Sequence, residues 1–536
     1  MKTTKHEMTN KNYFGVGAGR KMTFSLLILC TLLSSCKQSA TPGAPSRDPK
    51  DPVTISRIVQ SPEGKPYLEV DGEPFALYGA QIRIDIFRSV DEMEWSDIEP
   101  YFETAANLGL NCVQVPLPWK FIEPKEGEYV FSEADRIMIL ANKYNLKVEL
   151  LWFSTNFIGD SYTWLVPQYV LAKAALRMKR DGDGNFHALY GYTYSIRFDD
   201  PWVLERERLA LTALFAHIRD WDDDNGNRHP IITCQVHNEP DALVRWRIAE
   251  KNICNKDGSP LSKTDGWQMT LTALNAAGKA VKASEYRVAT RTNIISGNGV
   301  MDFPQTPGIS PRDVAMQEGI DFVSFDPYMQ TVNQIASEVA AYASLAGNYP
   351  LIAENRGDFA NTASLMLAAS ALGGGYDIYD LATSPYITSH SAPPFDTEGI
   401  YYSDLRPKPQ VEQVHALLKG LIAANKDVAL TPVKDFAAFN IQTDTPKTSC
   451  QQQIRTSGAV LDFETSSGAL AFVLDRGTRL VAFSTASATL RVSGGTVEGH
   501  SDGRVTLSPG VVVELKYQSA GAQTSTTKKN IGTVFN

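Results

Sequence analysis

Two glutamates offer the chain's most pointed chemistry. Glu239 closes the run Pro230-Ile-Ile-Thr-Cys-Gln-Val-His-Asn238-Glu239-Pro240, and Glu354 closes Tyr349-Pro-Leu-Ile-Ala-Glu354-Asn-Arg-Gly357. Cleaving a glycosidic bond through an oxocarbenium-like transition state needs two carboxyl groups flanking one bond. A carboxyl placed where an apolar strand meets solvent is partly desolvated, which lifts its pKa toward the range of an acid catalyst. Taken singly, each glutamate reads equally well as a loop salt-bridge partner. The pair is more pointed, because both close a buried strand. Around them, Arg83 follows an apolar run and could support a carboxylate, while Trp119 and Trp152 could stack on a sugar face or pack the core. His237 is expected to point away from the cleft or toward its edge, and Glu123 to fix a loop. This chemistry requires no metal and no cofactor.

Such groups need a frame that brings distant strand ends together. Candidate strands at 75–82, 111–117, 147–153, 231–237, 286–292, 321–326, 349–354 and 375–381 alternate with helical stretches at 97–109, 132–145, 202–220 and 266–284. Eight strands alternating with helices predict an α/β fold, a (β/α)8 TIM barrel over residues 57–425. A doubly wound sheet is the alternative, but no Gly-rich phosphate loop follows the first strand. A hairpin opens this domain, with Tyr67–Val70 and Phe75–Tyr78 joined at Asp71-Gly72. The interruption from Thr155 to Pro201 is rich in aromatics (Phe157, Tyr162, Trp164, Tyr169, Tyr190, Tyr192, Tyr194) and is expected to help wall the active site. From about 430 to 517 the texture becomes short alternating strands at 457–463, 469–474, 478–484, 488–493 and 511–517. That predicts a small antiparallel β domain, followed by a polar tail over 518–536.

The N-terminus reads as an address. Lys11, Arg20 and Lys21 precede the apolar run Phe24–Leu33, which meets Ser34-Ser35-Cys36. Residues 1–35 are expected to be a signal peptide and 36–56 a flexible tether, beginning Lys37-Gln-Ser-Ala-Thr-Pro-Gly-Ala-Pro-Ser46. Leu33-Ser34-Ser35-Cys36 resembles the bacterial lipobox, which implies lipidation at Cys36 and a lipid-anchored protein of the bacterial cell envelope. Without residues 1–35, 46 basic residues face 59 acidic ones. That balance argues against nucleic acid as a partner and suits a neutral substrate. The six cysteines show no metal-ligand spacing. Cys112 and Cys234 read as small buried hydrophobes, and Cys254 and Cys450 could pair as a disulfide.

An Asn-Glu at the end of the fourth strand and a Glu at the end of the seventh resemble the signature of clan A retaining glycoside hydrolases. Within the clan, the chain is most similar to the family 35 and family 42 β-galactosidases over residues 75–400. Asn111-Cys-Val-Gln-Val-Pro-Leu-Pro-Trp119-Lys-Phe-Ile-Glu123-Pro124-Lys-Glu-Gly127-Glu-Tyr-Val-Phe131 resembles the second-strand motif of family 35, and Ile231-Ile232 with Gln235-Val236 and Asn238-Glu239 resembles its acid/base strand. The resemblance implies Glu239 as general acid/base, Glu354 as nucleophile, Asn238 on the sugar 2-hydroxyl, and Tyr328 of Ser324-Phe-Asp-Pro-Tyr328 positioning Glu354. It also implies carboxyl groups about 5–5.5 Å apart and an oligo- or polysaccharide substrate. Pro116, Lys120 and Pro240-Asp241 depart from the family pattern near the sugar subsites, which leaves galactose specificity open. The leading expectation is an exo-acting β-galactosidase. The alternatives are another clan A activity (arabinosidase, mannosidase, glucosidase or endo-hydrolase) and a non-catalytic glycan-binding lipoprotein.

Overall fold

Eight apolar runs form one parallel sheet in a computed structural model of the chain. It describes residues 49–520 apart from 157–160, 163, 179–184, 188–190, 249–252, 296–309, 386–397 and 442–445. The signal peptide, most of the tether and Cys36 therefore lie outside the described residues, as does 521–536. No helix among the described residues is long and apolar enough to cross a membrane.

The barrel strands are, in chain order, Tyr78–Ala80, Cys112–Pro118, Lys147–Asn156, Ile231–Asn238, Ala289–Ile295, Phe322–Asp326, Ile352–Arg356 and Tyr376–Tyr379. Each pairs in parallel with its neighbours in chain order, and the eighth pairs with the first. A parallel bridge from Gln81 to Gln114, with Ile82 N–H donating to Gln114 O at 2.9 Å, joins first to second and closes the ring. The second and fourth strands are buried along their whole length, because one face fills the barrel and the other meets helices. That is why they read as unbroken apolar runs.

Helices start where the sequence supplies caps. Asp200 accepts from Trp202 N–H to open Pro201–Asp224, and Ser262 accepts from Asp265 N–H to open Lys263–Lys282. The hairpin forms with Val70 opposite Glu73, and Asp71 and Gly72 both take positive φ at its turn. Its second strand stops at Phe75, and the chain enters the barrel separately at Tyr78. At Gly79 a Cβ would lie 2.1 Å from Asp377 Oδ1, so only glycine fits between the first strand and that carboxyl.

The C-terminal segment forms two antiparallel sheets. One has five strands (Phe436–Phe439, Ala471–Asp475, Arg479–Ser484, Val513–Ser519 and Gly495–Val497) and the other four (Cys450–Arg455, Val460–Thr465, Ala488–Ser493 and Arg504–Leu507). Phe436, Phe472, Leu474, Val481 and Phe483 of the first sheet join the barrel core, while Ala437, Phe439, Val473, Leu480 and Ala482 face the second sheet. With both faces covered, Ala471–Asp475 is buried throughout. Helix Thr362–Ala371 lies between the barrel and this sheet, and all ten of its residues are buried. Cys254 and Cys450 are both free thiols, so the disulfide that they could have formed is absent. Cys254 instead bridges to Pro260 within its own loop, while Cys450 begins a strand of the four-stranded sheet.

Candidate active site

The fourth strand changes direction at its end. His237 has φ 57° and Glu239 φ 42°, values that cost a non-glycine residue about 1–2 kcal/mol and that survive only where surrounding contacts impose them. Asn293, at the fifth strand, supplies those contacts. Its Oδ1 accepts from Glu239 N–H at 3.0 Å, and its Nδ2 donates to Asn238 Oδ1 at 2.9 Å and to Asp326 Oδ2 at 2.7 Å. Gln235 Nε2 also donates to Asn238 Oδ1, at 3.0 Å.

The seventh strand presents Glu354 between two donors. Gln81 Nε2 donates to Oε1 at 3.1 Å, and the Tyr328 hydroxyl donates to Oε2. Tyr328 has φ 47°, and the next strand position fixes its loop. Asn355 accepts from Met329 N–H at 2.9 Å and donates to Met329 O at 3.1 Å and Tyr376 Oη at 2.9 Å. Arg83 completes this side, bonding Tyr379 Oη at 3.2 Å and Asp85 at 2.9 and 2.8 Å.

These groups meet in a cavity of about 180 Å³ lined by Gln81, Arg83, Phe153, Asn238, Glu239, Tyr328, Glu354, Tyr379 and Glu398. Glu239, Glu354 and Asp326 each bring an oxygen within 4.8 Å of the other two. Such a trio could approach one cation. The two donors on Glu354 are the contacts of a carboxylate. Burial pushes Glu239 well above the usual carboxylate range, and the charges of Glu354 and Asp241 add to this. Burial also raises Glu354, but there the Tyr328 hydroxyl, Arg83 and Gln81 oppose it. The surroundings therefore favour the proton on Glu239 and the negative charge on Glu354.

A buried polar layer lies inside the barrel. Arg291 pairs with Glu149 at 3.0 Å, with both side chains fully buried, and it also donates to Gln235 and to Ser324 Oγ. Gln114 donates to Asp377 Oδ2 at 2.7 Å and accepts from Gln81 at 3.3 Å. Burial and the neighbouring Glu149 lift the Asp377 carboxyl well above the usual carboxylate range. This layer links Gln81 and Gln235, and through them it orients Glu354 and Asn238.

Of the residues singled out from sequence, the cavity brings together Glu239, Glu354, Asn238, Tyr328 and Arg83. Trp119 and Trp152 are corrected: both are fully buried away from the cavity, 6.4 Å apart. Trp119 Nε1 donates to Glu123 at 3.0 Å and Trp152 Nε1 to Glu207 at 2.8 Å, so each indole is committed to the core. Glu123 also accepts from Gly127 N–H at 2.8 Å and pairs with Arg206, a loop-fixing role. His237 is buried outside the cavity, bonded to Ser154 Oγ at 2.9 Å and kept neutral by desolvation. Of the aromatic interruption, Trp164, Tyr169 and Tyr194 do not line the cavity. Phe157 and Tyr190 lie outside the described residues, as do the side chains of Tyr162 and Tyr192.

Sequence reasoning missed Gln81, Phe153, Asn293, Asp326, Tyr379 and Glu398. Asp326 had a signal, since Ser324-Phe-Asp326-Pro-Tyr328 is another apolar strand ending in a carboxyl.

Comparisons with known proteins bear on the same segments. Residues 67–150 match the model for glycosyl hydrolases family 35, and residues 269–446 match a domain of unknown function (DUF4978). The family 35 match covers the second-strand motif and stops before Glu239. A β-galactosidase from Macaca fascicularis is 28% identical over 172 residues, which are 32% of this chain and 21% of that protein. The chain thus spans about a fifth of that relative's length. Among solved structures, the exo-β-1,4-mannosidase Op5Man5 from Opitutaceae bacterium strain TAV5 is 16% identical, covering 70% of this chain and 62% of that one at TM-score 0.45. A β-galactosidase from the psychrophilic Marinomonas ef1 is 11% identical, covering 67% and 62% at TM-score 0.48. The sequence matches support a glycoside hydrolase of the family 35 type, to which the chain is related through the first part of its barrel.

Proposed function

We propose that the chain is a retaining β-glycoside hydrolase, with Glu354 as nucleophile and Glu239 as general acid/base. The observation that carries this reading is the pair itself. The two carboxyl groups project from the ends of the fourth and seventh barrel strands into one cavity, with oxygens within 4.8 Å. Retaining enzymes hold their carboxyl groups about 5–5.5 Å apart, whereas inverting enzymes leave about 6.5–9.5 Å for a water.

Glu354 attacks the anomeric carbon as the glycosidic C–O bond breaks, and Glu239 gives its proton to the leaving oxygen. Glu239 then takes a proton from water, which attacks the glycosyl ester and frees Glu354 with the anomeric configuration retained. Asn238 meets the 2-hydroxyl, and Tyr328 with Gln81 aims Glu354 and favours its ionised form against the effect of burial. Exo action is the reading that the family 35 match favours. The family 35 match and the β-galactosidase relative make a terminal β-galactoside the first substrate to test. We also read Cys36 as a lipidation site that anchors the enzyme to the bacterial envelope, which metabolic labelling with an alkynyl fatty acid would test against Cys36→Ala.

The test of the activity is hydrolysis of a panel of p-nitrophenyl α- and β-glycosides by wild type, Glu354→Gln and Glu239→Ala, with product anomers followed by proton NMR. Turnover with retention, lost in Glu354→Gln, is the expected result. Full activity in Glu354→Gln, or inverted product, overturns the reading.

A further inference from the structure

A second cavity, of about 710 Å³, lies where the barrel meets the C-terminal sheets. On the barrel side it is lined by Asp358, just after the seventh strand, and by Tyr402, Gln410 and Gln413 around the start of helix Val411–Ala423. On the other side Ser467 and Thr485 reach it from turns between strands of the sheets. Ligand-binding clefts span about 300–1,000 Å³.

The segment Arg356-Gly357-Asp358 links this cavity to the catalytic one. Arg356 bonds Asp358 at 2.9 and 2.7 Å, and it also lies 3.7 Å from Glu398, which lines the catalytic cavity. Gly357 repeats the pattern in its backbone. Its N–H donates to Glu398 O at 2.8 Å, and its carbonyl accepts from Gln410 Nε2 at 2.6 Å. The two cavities therefore share one stretch of chain.

The lining is suited to a neutral polyol. Its carboxamides and hydroxyls both donate and accept, as sugar hydroxyls do, and the Tyr402 ring can offer an apolar face to sugar C–H groups. Its charges are balanced, because Arg356 offsets Asp358, and Lys408 and Glu412 on the same lining are opposite in sign. That balance disfavours a phosphate or another anion. Tyr402, Lys408 and Glu412 also line a neighbouring cavity of about 640 Å³, so the groove continues past Tyr402 and can follow a chain rather than a single ring.

We propose that this groove is a second, non-catalytic saccharide site, which holds a further stretch of the carbohydrate substrate beside the catalytic cavity. The inference rests on the glycosidase reading, which supplies the ligand class. A polymer held there presents its ends to Glu239 and Glu354 at a raised local concentration.

The test is affinity electrophoresis of the purified protein through native gels containing soluble β-galactan, β-mannan or xyloglucan, against gels without polysaccharide. At least one polymer should slow wild type, and should slow Glu354→Gln equally, because the site does no chemistry. Tyr402→Ala should weaken the apparent Kd by about tenfold or more. Gln413→Ala removes no side-chain hydrogen bond among the described residues, so it tests the groove even where Tyr402→Ala fails to fold. It too should weaken retardation, with the fold judged by circular dichroism. In both variants kcat/KM for a nitrophenyl glycoside should stay within about twofold of wild type. If no polymer slows wild type, or if the folded variants are slowed as much as wild type, the inference is overturned. Undiminished hydrolysis by Glu354→Gln overturns the glycosidase reading instead, whatever the gels show, so the two failures are distinguishable.

Discussion

Replacing Tyr328 with Phe removes one oxygen and the bond it donates to Glu354 Oε2. Oε1 keeps its bond from Gln81 Nε2 at 3.1 Å. Among the influences that hold Glu354 as an anion against its burial, the Tyr328 hydroxyl is the largest, ahead of Arg83 and Gln81. A hydrogen bond to a charged group contributes about 1.5–3 kcal/mol, and about 1.4 kcal/mol corresponds to one pH unit. The Tyr328→Phe carboxyl should therefore ionise about one to two units higher. Because the nucleophile must be ionised, the acid limb of kcat/KM moves upward by the same amount, and activity is lost sooner as pH falls. The ring still packs edge-on against Tyr379, at 5.8 Å between centroids, so the fold should be little disturbed. The assay is the pH dependence of kcat/KM for wild type and variant on the nitrophenyl glycoside that wild type cleaves fastest. An acid limb in the same place would refute the argument that Tyr328 governs the ionisation of Glu354.

Trp152→Phe should lower stability by about 2–4 kcal/mol, through lost packing and an unpaired Glu207, while KM stays unchanged. A raised KM with unchanged thermal stability would return Trp152 to the sugar site. Asp380 is buried, and its carboxyl is pushed up to about 7 by burial and then by Glu398. A raised carboxyl contributes stability that is present below the unfolded pKa of about 4 and lost as pH rises through the folded value. Asp380→Asn should therefore gain stability relative to wild type between pH 5 and pH 8 in urea melts, and a pH-independent difference would sink the idea. At Gly420, on helix Val411–Ala423, a Cβ would lie 2.4 Å from the Phe483 ring where the β domain meets the barrel. Gly420→Ala gains about 1 kcal/mol of helix propensity but costs about 1–3 in overpacking, so the melting temperature should fall.

Much of the architecture was legible along the chain. Parallel strands buried on both faces leave continuous apolar runs, and each of the eight candidate runs contains or overlaps a barrel strand. Strands with an exposed, polar face were harder to see. Cys450-Gln-Gln-Gln-Ile-Arg455 alternates with only Ile454 fully buried, and nothing in it reads as apolar. The hairpin's second strand and the first barrel strand merged into one run, because only Ala76 and Leu77 separate them.

The site divides in the same way. A carboxyl closing an apolar strand is a local pattern, so Glu239 and Glu354 could be named from their own segments. What each carboxyl does depends on residues far away in sequence. Gln81 and Tyr328 reach Glu354 across 273 and 26 positions, and Asn293 holds Glu239 across 54. Trp119 and Trp152 show the limit from the other side, since an aromatic beside a strand end looks the same whether its ring meets a sugar or the core. The chain alone determined which strands end in acids, because periodicity and burial are written residue by residue. Only barrel closure decided which of those acids meet, because ring order and the left-handed turns at Glu239 and Tyr328 set where each side chain points.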